Sequence, residues 1–226
     1  IIPAISDEGE LLQEEREGWN EINYIKEILG EYGFAAQYQQ KPYKIENGLI
    51  KKKWLKYFGK EPDEILSVYQ SWDTAIKTSS GADYSVGLAI AECTDGYYVL
   101  DCVRDKFEYP DLKRRLVEFA NLYEVNAVLV EDKASGQSLI QDLNRETGLP
   151  IIGLNPKLDK LTRFAAITPM IEAGKLFLPR YAKWREVFEA EILSFPHSPN
   201  DDQADALSQF LNWKKNRNIE EARVRS

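Results

Sequence analysis

No run of apolar residues in the chain approaches the roughly 20 needed to cross a bilayer, and the opening IIPAISDEGE has no basic segment followed by an apolar one. These absences argue against a membrane span and a secretory leader, so a cytoplasmic protein is expected. Cysteine is scarce, at two residues. Cys93 and Cys102 flank TDGYYVLD, where Asp95 and Gly96 read as the central pair of a tight hairpin turn. That register sets Cys93 opposite Tyr98 and not Cys102, so free thiols and a reducing compartment are expected. There is no fixed-period repeat, no low-complexity tract and no GxxxxGKS/T phosphate loop.

Basic charge is also in short supply, with 29 Lys and Arg against 37 Asp and Glu and a net charge of −8 over 226 residues. Taken whole, this disfavours a nucleic-acid partner, but the acids are unevenly spread. Residues 1–32 hold nine acids against Arg16 and Lys26, a local charge of −7, which leaves −1 for the remainder. A near-neutral body accommodates a basic groove beside an acidic metal site.

What is present divides the chain in three. Residues 1–65 combine an acidic helical stretch with an aromatic, turn-rich one carrying Lys51, Lys52 and Lys53, and read as a connecting segment. Residues 66–217 are regular, and 218–226 form a tail. LSVYQSWD, YSVGLAIAEC and YYVLDCVRD read as three strands joined as an antiparallel meander. Leu112, Leu116, Phe119 and Ala120 recur at helical spacing. Strand NAVLVE, helix SGQSLIQDLNRETG, strand PIIGLNP and helix DKLTRFAAITPMIEAG follow, the last with a kink expected at Pro169. KLFLP is a further strand candidate, and YAKWREVFEAEILSF and the stretch from Pro199 to Trp213 supply the last helices. Strands separated by helices run parallel through right-handed crossovers. The expected fold is thus α/β: a mixed five-stranded sheet, three-strand meander then αβαβα, flanked by helices in the ribonuclease H-like arrangement.

On that arrangement the first and fourth strands are parallel neighbours, and Asp73 and Glu131 end them at one edge. Two adjacent carboxylates repel unless a cation intervenes, although strands also end in polar residues simply because they reach the surface. PNDDQADALSQFLNW adds a third element. Asn200 and Gln203 stand at capping-box spacing, and Asp201 suits the helix dipole. Asp205 lies beyond the first turn, and Asp202, three residues earlier, projects to the same side. Asp73, Glu131, Asp202 and Asp205 together can supply the oxygen donors that two magnesium or manganese ions need for phosphodiester displacement.

SWDTA, VEDKASG and FPHSPNDDQADALSQFL, in this order, resemble the nuclease domain of the large terminase subunit of tailed bacteriophages and prophages, a RuvC-type, RNase H-like nuclease. The resemblance covers nearly the whole chain. It implies two divalent metals and endonucleolytic cutting of concatemeric viral DNA during packaging. Asp73 matches the first metal-binding acid and Glu131 the second; both Asp202 and Asp205 qualify for the third, with Asp205 preferred because it has no capping role. The implied partners are double-stranded DNA, an ATPase domain that this chain lacks, the small terminase subunit and the portal protein. Without a phosphate loop the chain does not translocate DNA.

Lys77, Lys133, Lys157, Lys160 and Arg163 are candidate DNA-backbone contacts, with a solvated charged face as the alternative, and Lys133, two residues beyond Glu131, could instead balance the acid cluster. His197, the single histidine, stands in the loop before the acidic helix and is a candidate for proton transfer. Trp54, Tyr57 and Phe58 suit packing of the early segment on the core. Rival readings are a junction resolvase or ribonuclease H, a phosphotransferase on a related sheet, and a non-catalytic docking module.

Overall fold

The computed structural model of the chain describes residues 4–6, 9–12, 18–26, 34, 38–39, 48–75, 84–133 and 135–225; Lys77 lies outside them. The elements in chain order are β1 Lys56–Phe58, β2 Ser67–Asp73, β3 Ser85–Glu92, β4 Tyr97–Asp105, α1 Tyr109–Leu122, β5 Ala127–Glu131, α2 Ser135–Glu146 and β6 Ile151–Leu154. They continue with α3 Lys160–Ala165, α4 Thr168–Glu172, β7 Leu176–Pro179, α5 Arg185–Ser194 and α6 Asp202–Arg225. The strands form one sheet in the order β1-β7-β4-β3-β2-β5-β6.

The five expected strands, β4-β3-β2-β5-β6, have the expected order and directions: β2, β3 and β4 are antiparallel, while β5 pairs parallel with both β2 and β6. β5 reads AVLVE, apolar until its last residue, because helices cover both faces of the sheet. On one face Trp72, Val128 and Val130 pack against Leu112, Leu116 and Phe119 of α1 and Leu139 and Leu143 of α2. On the other, Val86, Leu88 and Leu129 meet Phe164, Phe188 and Phe210 of α3, α5 and α6.

The sheet has seven strands where five were expected; the candidate KLFLP is the sixth, as β7, and β1 was not anticipated. β7 pairs with Tyr97 and Tyr98 of β4, and β1 pairs with β7. β1 lies N-terminal to the expected boundary at 65 and α6 runs past that at 217. Short pieces such as KYF carry too little periodicity to announce a strand; the open hydrogen-bonding edge of β4 recruits them. Gly96 makes this possible, since a Cβ there would collide with the Lys175 backbone just before β7.

Two local expectations are corrected. The β3–β4 hairpin is shifted by one residue, with Glu92 opposite Tyr97, Ala91 opposite Tyr98, and Cys93 N–H donating to the Gly96 carbonyl at 2.8 Å. The turn therefore centres on Thr94 and Asp95; Cys102 lies opposite Leu88, and both thiols are free as expected. Pro169 opens a separate helix, α4, and does not kink a continuous one, because its ring suits a first turn better than an interior.

Candidate metal centre

β2 and β5 pair in parallel from Tyr69↔Ala127 to Trp72↔Val130, so Asp73 and Glu131 emerge together at the carboxyl edge. Strand alternation sends Trp72 into the α1 side of the sheet and Asp73 to the α6 side. Trp72 is fully buried, and Gly87 opposite it leaves the space: a Cβ on Gly87 would stand 2.5 Å from the indole. Behind Glu131, a Cβ on Gly136 would overlap the Glu131 carbonyl, so α2 starts hard against the end of β5.

The third wall is α6, held by groups of which the sequence singled out only Gln203, as a cap. Glu191 of α5 accepts from the backbone amides of Gln203 at 2.6 Å and Ala204 at 3.1 Å, and from the Gln203 side chain at 2.6 Å. Gln203 thus reaches across to α5, not back along its own helix as capping-box spacing suggests. Ser71 Oγ donates to the Ala206 carbonyl at 2.7 Å and accepts from Gln209 Nε2 at 3.0 Å. The available signal was a serine and a glutamine placed on otherwise apolar faces, both of them buried.

These fastenings bring Asp202 and Asp205, 7% and 5% exposed, toward Asp73. Burial pushes the Asp73 carboxyl up to about 8, with the negative charges of Asp205 and Asp202 adding to the effect, Lys160 opposing it and Glu131 contributing. Burial likewise raises Asp205, offset by Lys160 and Arg163. Lys160 Nζ lies 2.6 Å from Asp205 and 2.8 Å from Asp201. Its own burial works against its charge, but the hydrogen bonds to Asp201 and Asp205 prevail and raise its pKa.

Arg163 bridges the acids: one Nη stands 3.0 Å from Asp205 and the other 3.6 Å from Glu131. Lys133 pairs with Glu131 at 2.9 Å. Lys160 and Arg163, expected on a DNA backbone, therefore turn onto the acids, Lys133 balances Glu131 as its alternative reading had it, and Arg163 is only 9% exposed. Lys157 is exposed in the loop after β6, and His197 is exposed in the loop before α6.

The donor set is all carboxylate oxygen, the preference of magnesium and manganese. An aspartate whose pKa is raised by burial and, after it, by acidic neighbours is a group that a divalent cation would ionise. Among the described residues no three acids, histidines or cysteines already converge on one point. Lys160, Arg163 and Lys133 hold Asp205 and Glu131 aside through the ion pairs given above, so chelation requires those carboxylates to swing off their cations.

Residues 70–214 match the family model described as the terminase RNase H-like domain. Among solved structures, the large terminase of a thermophilic bacteriophage in complex with ADP aligns at a TM-score of 0.60 and 14% identity, over 86% of this chain and 51% of that one. The chain thus spans about half the length of that protein. The large terminase nuclease of thermophilic phage G20c with bound magnesium aligns at a TM-score of 0.55 and 14% identity, over 75% of this chain and 98% of that one. The Thermus phage P74-26 large terminase nuclease domain gives 0.52 and 14%, over 72% and 93%. No curated protein sequence matches. At such identities the likeness to solved structures is one of fold, but the family match takes in most of the chain and both strand-end acids: the chain belongs to the terminase RNase H-like domain family.

Proposed function

We propose that the chain is the DNA endonuclease part of a phage or prophage large terminase, cutting concatemeric viral DNA at the start and end of packaging. What supports this reading is that Asp73 and Glu131 end neighbouring parallel strands and that Asp202 and Asp205 stand in the first turn of α6, with the Asp73 pKa raised by burial and then by the negative charges of the other three. In this reading these acids hold two magnesium or manganese ions. When bound, such ions lower the pKa of water to make a nucleophile and neutralise charge on the phosphate and the leaving 3′ oxygen. Asp73 would give up its proton on binding them. Arg163, which stands between Glu131 and Asp205 in the metal-free site, would release those carboxylates to the ions. Lys160 and Lys133 would exchange an acid for a phosphate oxygen as DNA enters.

Among the described residues nothing resembles a base-reading helix, so contacts to phosphates should dominate and sequence preference should be weak. Selectivity would come from partners: the ATPase domain, the small terminase subunit and the portal. Among the described residues no helix is long and apolar enough to cross a membrane, in keeping with action on DNA in the host cytoplasm.

The test is nicking of supercoiled plasmid in manganese by the wild type and Asp73→Ala. Loss of nicking in the variant, with both folded, is the expected result. Intact plasmid with both proteins would favour a docking module, and equal nicking by both would place the chemistry elsewhere. Preference for a four-way junction or an RNA:DNA hybrid over plain duplex would instead assign a resolvase or ribonuclease H activity.

A further inference from the structure

The sheet register places a cation beside the acids that does not turn toward them. Asp73 lies opposite Val86, and Val86 lies opposite Arg104 of β4. Directly opposed residues in antiparallel strands share a face, so Asp73, Val86 and Arg104 form one row on the α6 side. With strands about 4.8 Å apart, two spacings separate Arg104 from Asp73 by roughly 10 Å. β4 runs in the same direction as β2, so Arg104 sits at the same carboxyl edge. That span is about one to two phosphate steps along a strand, since successive phosphates wind about the axis and lie farther apart than the roughly 3.4 Å axial rise.

Arg104 is held but not used up. Its guanidinium lies 4.0 Å from the Tyr84 ring centroid, and Lys106 Nζ approaches the same ring at 4.9 Å. The facing acid, Glu191, stands 3.9 Å away, beyond hydrogen-bond reach, because its oxygens accept the three donors of α6 already described. Nε and Nη2, the paired edge of the guanidinium, have no hydrogen-bond partner, and neither does Ser198 Oγ. Arg104, Ser198 and Asn200 line one cavity of about 360 Å3 between α5 and the loop entering α6, with Glu186 also on its wall. Buried donors left unpaired are costly, and a planar fork suits a tetrahedral oxyanion.

We propose that Arg104, with Ser198 and Asn200 across the cavity, grips a backbone phosphate of the DNA strand one to two nucleotides from the one that is cut. The proposal rests on the nuclease reading above and names a second contact for the same substrate. Glu191 then has two tasks, to seat α6 and to hold Arg104 in place without neutralising it fully.

The measurement is duplex binding by fluorescence anisotropy across a salt series, with calcium replacing manganese, alongside steady-state cleavage in manganese. Arg104→Gln should bind about tenfold more weakly at 0.1 M salt and flatten the log K against log salt slope by about one. KM should rise while kcat stays within about twofold. A duplex carrying one uncharged methylphosphonate at the predicted position should bind the wild type more weakly, yet leave Arg104→Gln unaffected. Arg104→Lys should recover the salt slope, and Ser198→Ala should lose about threefold in affinity; these two decide the matter if Arg104→Gln does not fold. Wild-type affinity and slope in the variants would overturn the proposal, as would a methylphosphonate penalty that persists undiminished in Arg104→Gln. A wild type that neither binds nor nicks duplex would overturn the nuclease reading itself, and this contact with it.

Discussion

The Arg163 guanidinium donates to the Asp205 carboxylate at 3.0 Å, both side chains at most 10% exposed, and so joins α3 to the acidic turn of α6. A buried charge stripped of its partner is costly. Arg163→Met should therefore lower metal-free stability by about 3 kcal/mol, although Lys160 still faces Asp205. Adding Asp205→Asn should recover much of the loss. Urea unfolding of the single and double variants measures this; an additive loss in the double variant would show that the pair is not coupled.

Asp73 sets a pH dependence with a definite sign. Its carboxyl is raised to about 8, above the usual range near 4, so the folded metal-free protein holds a proton that the unfolded chain has released. That proton-linked stability is fully present below about pH 4 and is lost as pH rises toward and through 8. Asp73→Asn should flatten urea-unfolding stability between pH 5 and 8. Magnesium binding should release a proton below pH 8 and weaken with falling pH. Calorimetry in two buffers of different ionisation heat tests this, and the same observed heat in both would refute it.

Trp72 and Gly87 form a second relationship that matters for the site. Gly87→Ala would force the indole aside and, through the next residue, displace Asp73. Overpacking of this kind costs about 1–3 kcal/mol. Both thermal stability and plasmid nicking should fall, and a smaller ring, as in Trp72→Phe, should restore part of each. Full nicking by Gly87→Ala would mean that Asp73 tolerates the shift.

Glu191 is the anchor of α6. Glu191→Ala removes the acceptor for the Gln203 and Ala204 amides and should cost about 1–3 kcal/mol. Hydrogen exchange at those two amides should accelerate strongly, with Glu191→Gln in between because one carbonyl oxygen remains. Unchanged exchange in Glu191→Ala would mean that water caps the helix equally well.

Much of this was legible beforehand. Strand-end logic singled out Asp73 and Glu131, and their parallel pairing in the sheet sets them at one edge. Spacing in α1 identified Leu112, Leu116, Phe119 and Ala120, which are all buried. Turn chemistry was weaker: an Asp-Gly pair suggested a hairpin one residue out of register, because contact with the strand that follows α4 decided where Gly96 had to lie. Lys160, Arg163 and Lys133 were recognised as relevant cations, but in the fold they face acids.

The sequence by itself determined the order and directions of the five central strands and the acids at strand ends and helix start, since periodicity and alternation are local properties of the chain, but not β1 or the break between α3 and α4. Only the tertiary structure decided which charges meet. Glu191 and Gln203, Arg163 and Asp205, and the row from Asp73 to Arg104 join residues 12 to 42 positions apart or lying on different strands. Coulomb and hydrogen-bond energies depend on distance and burial, and neither quantity exists until the sheet and helices have packed.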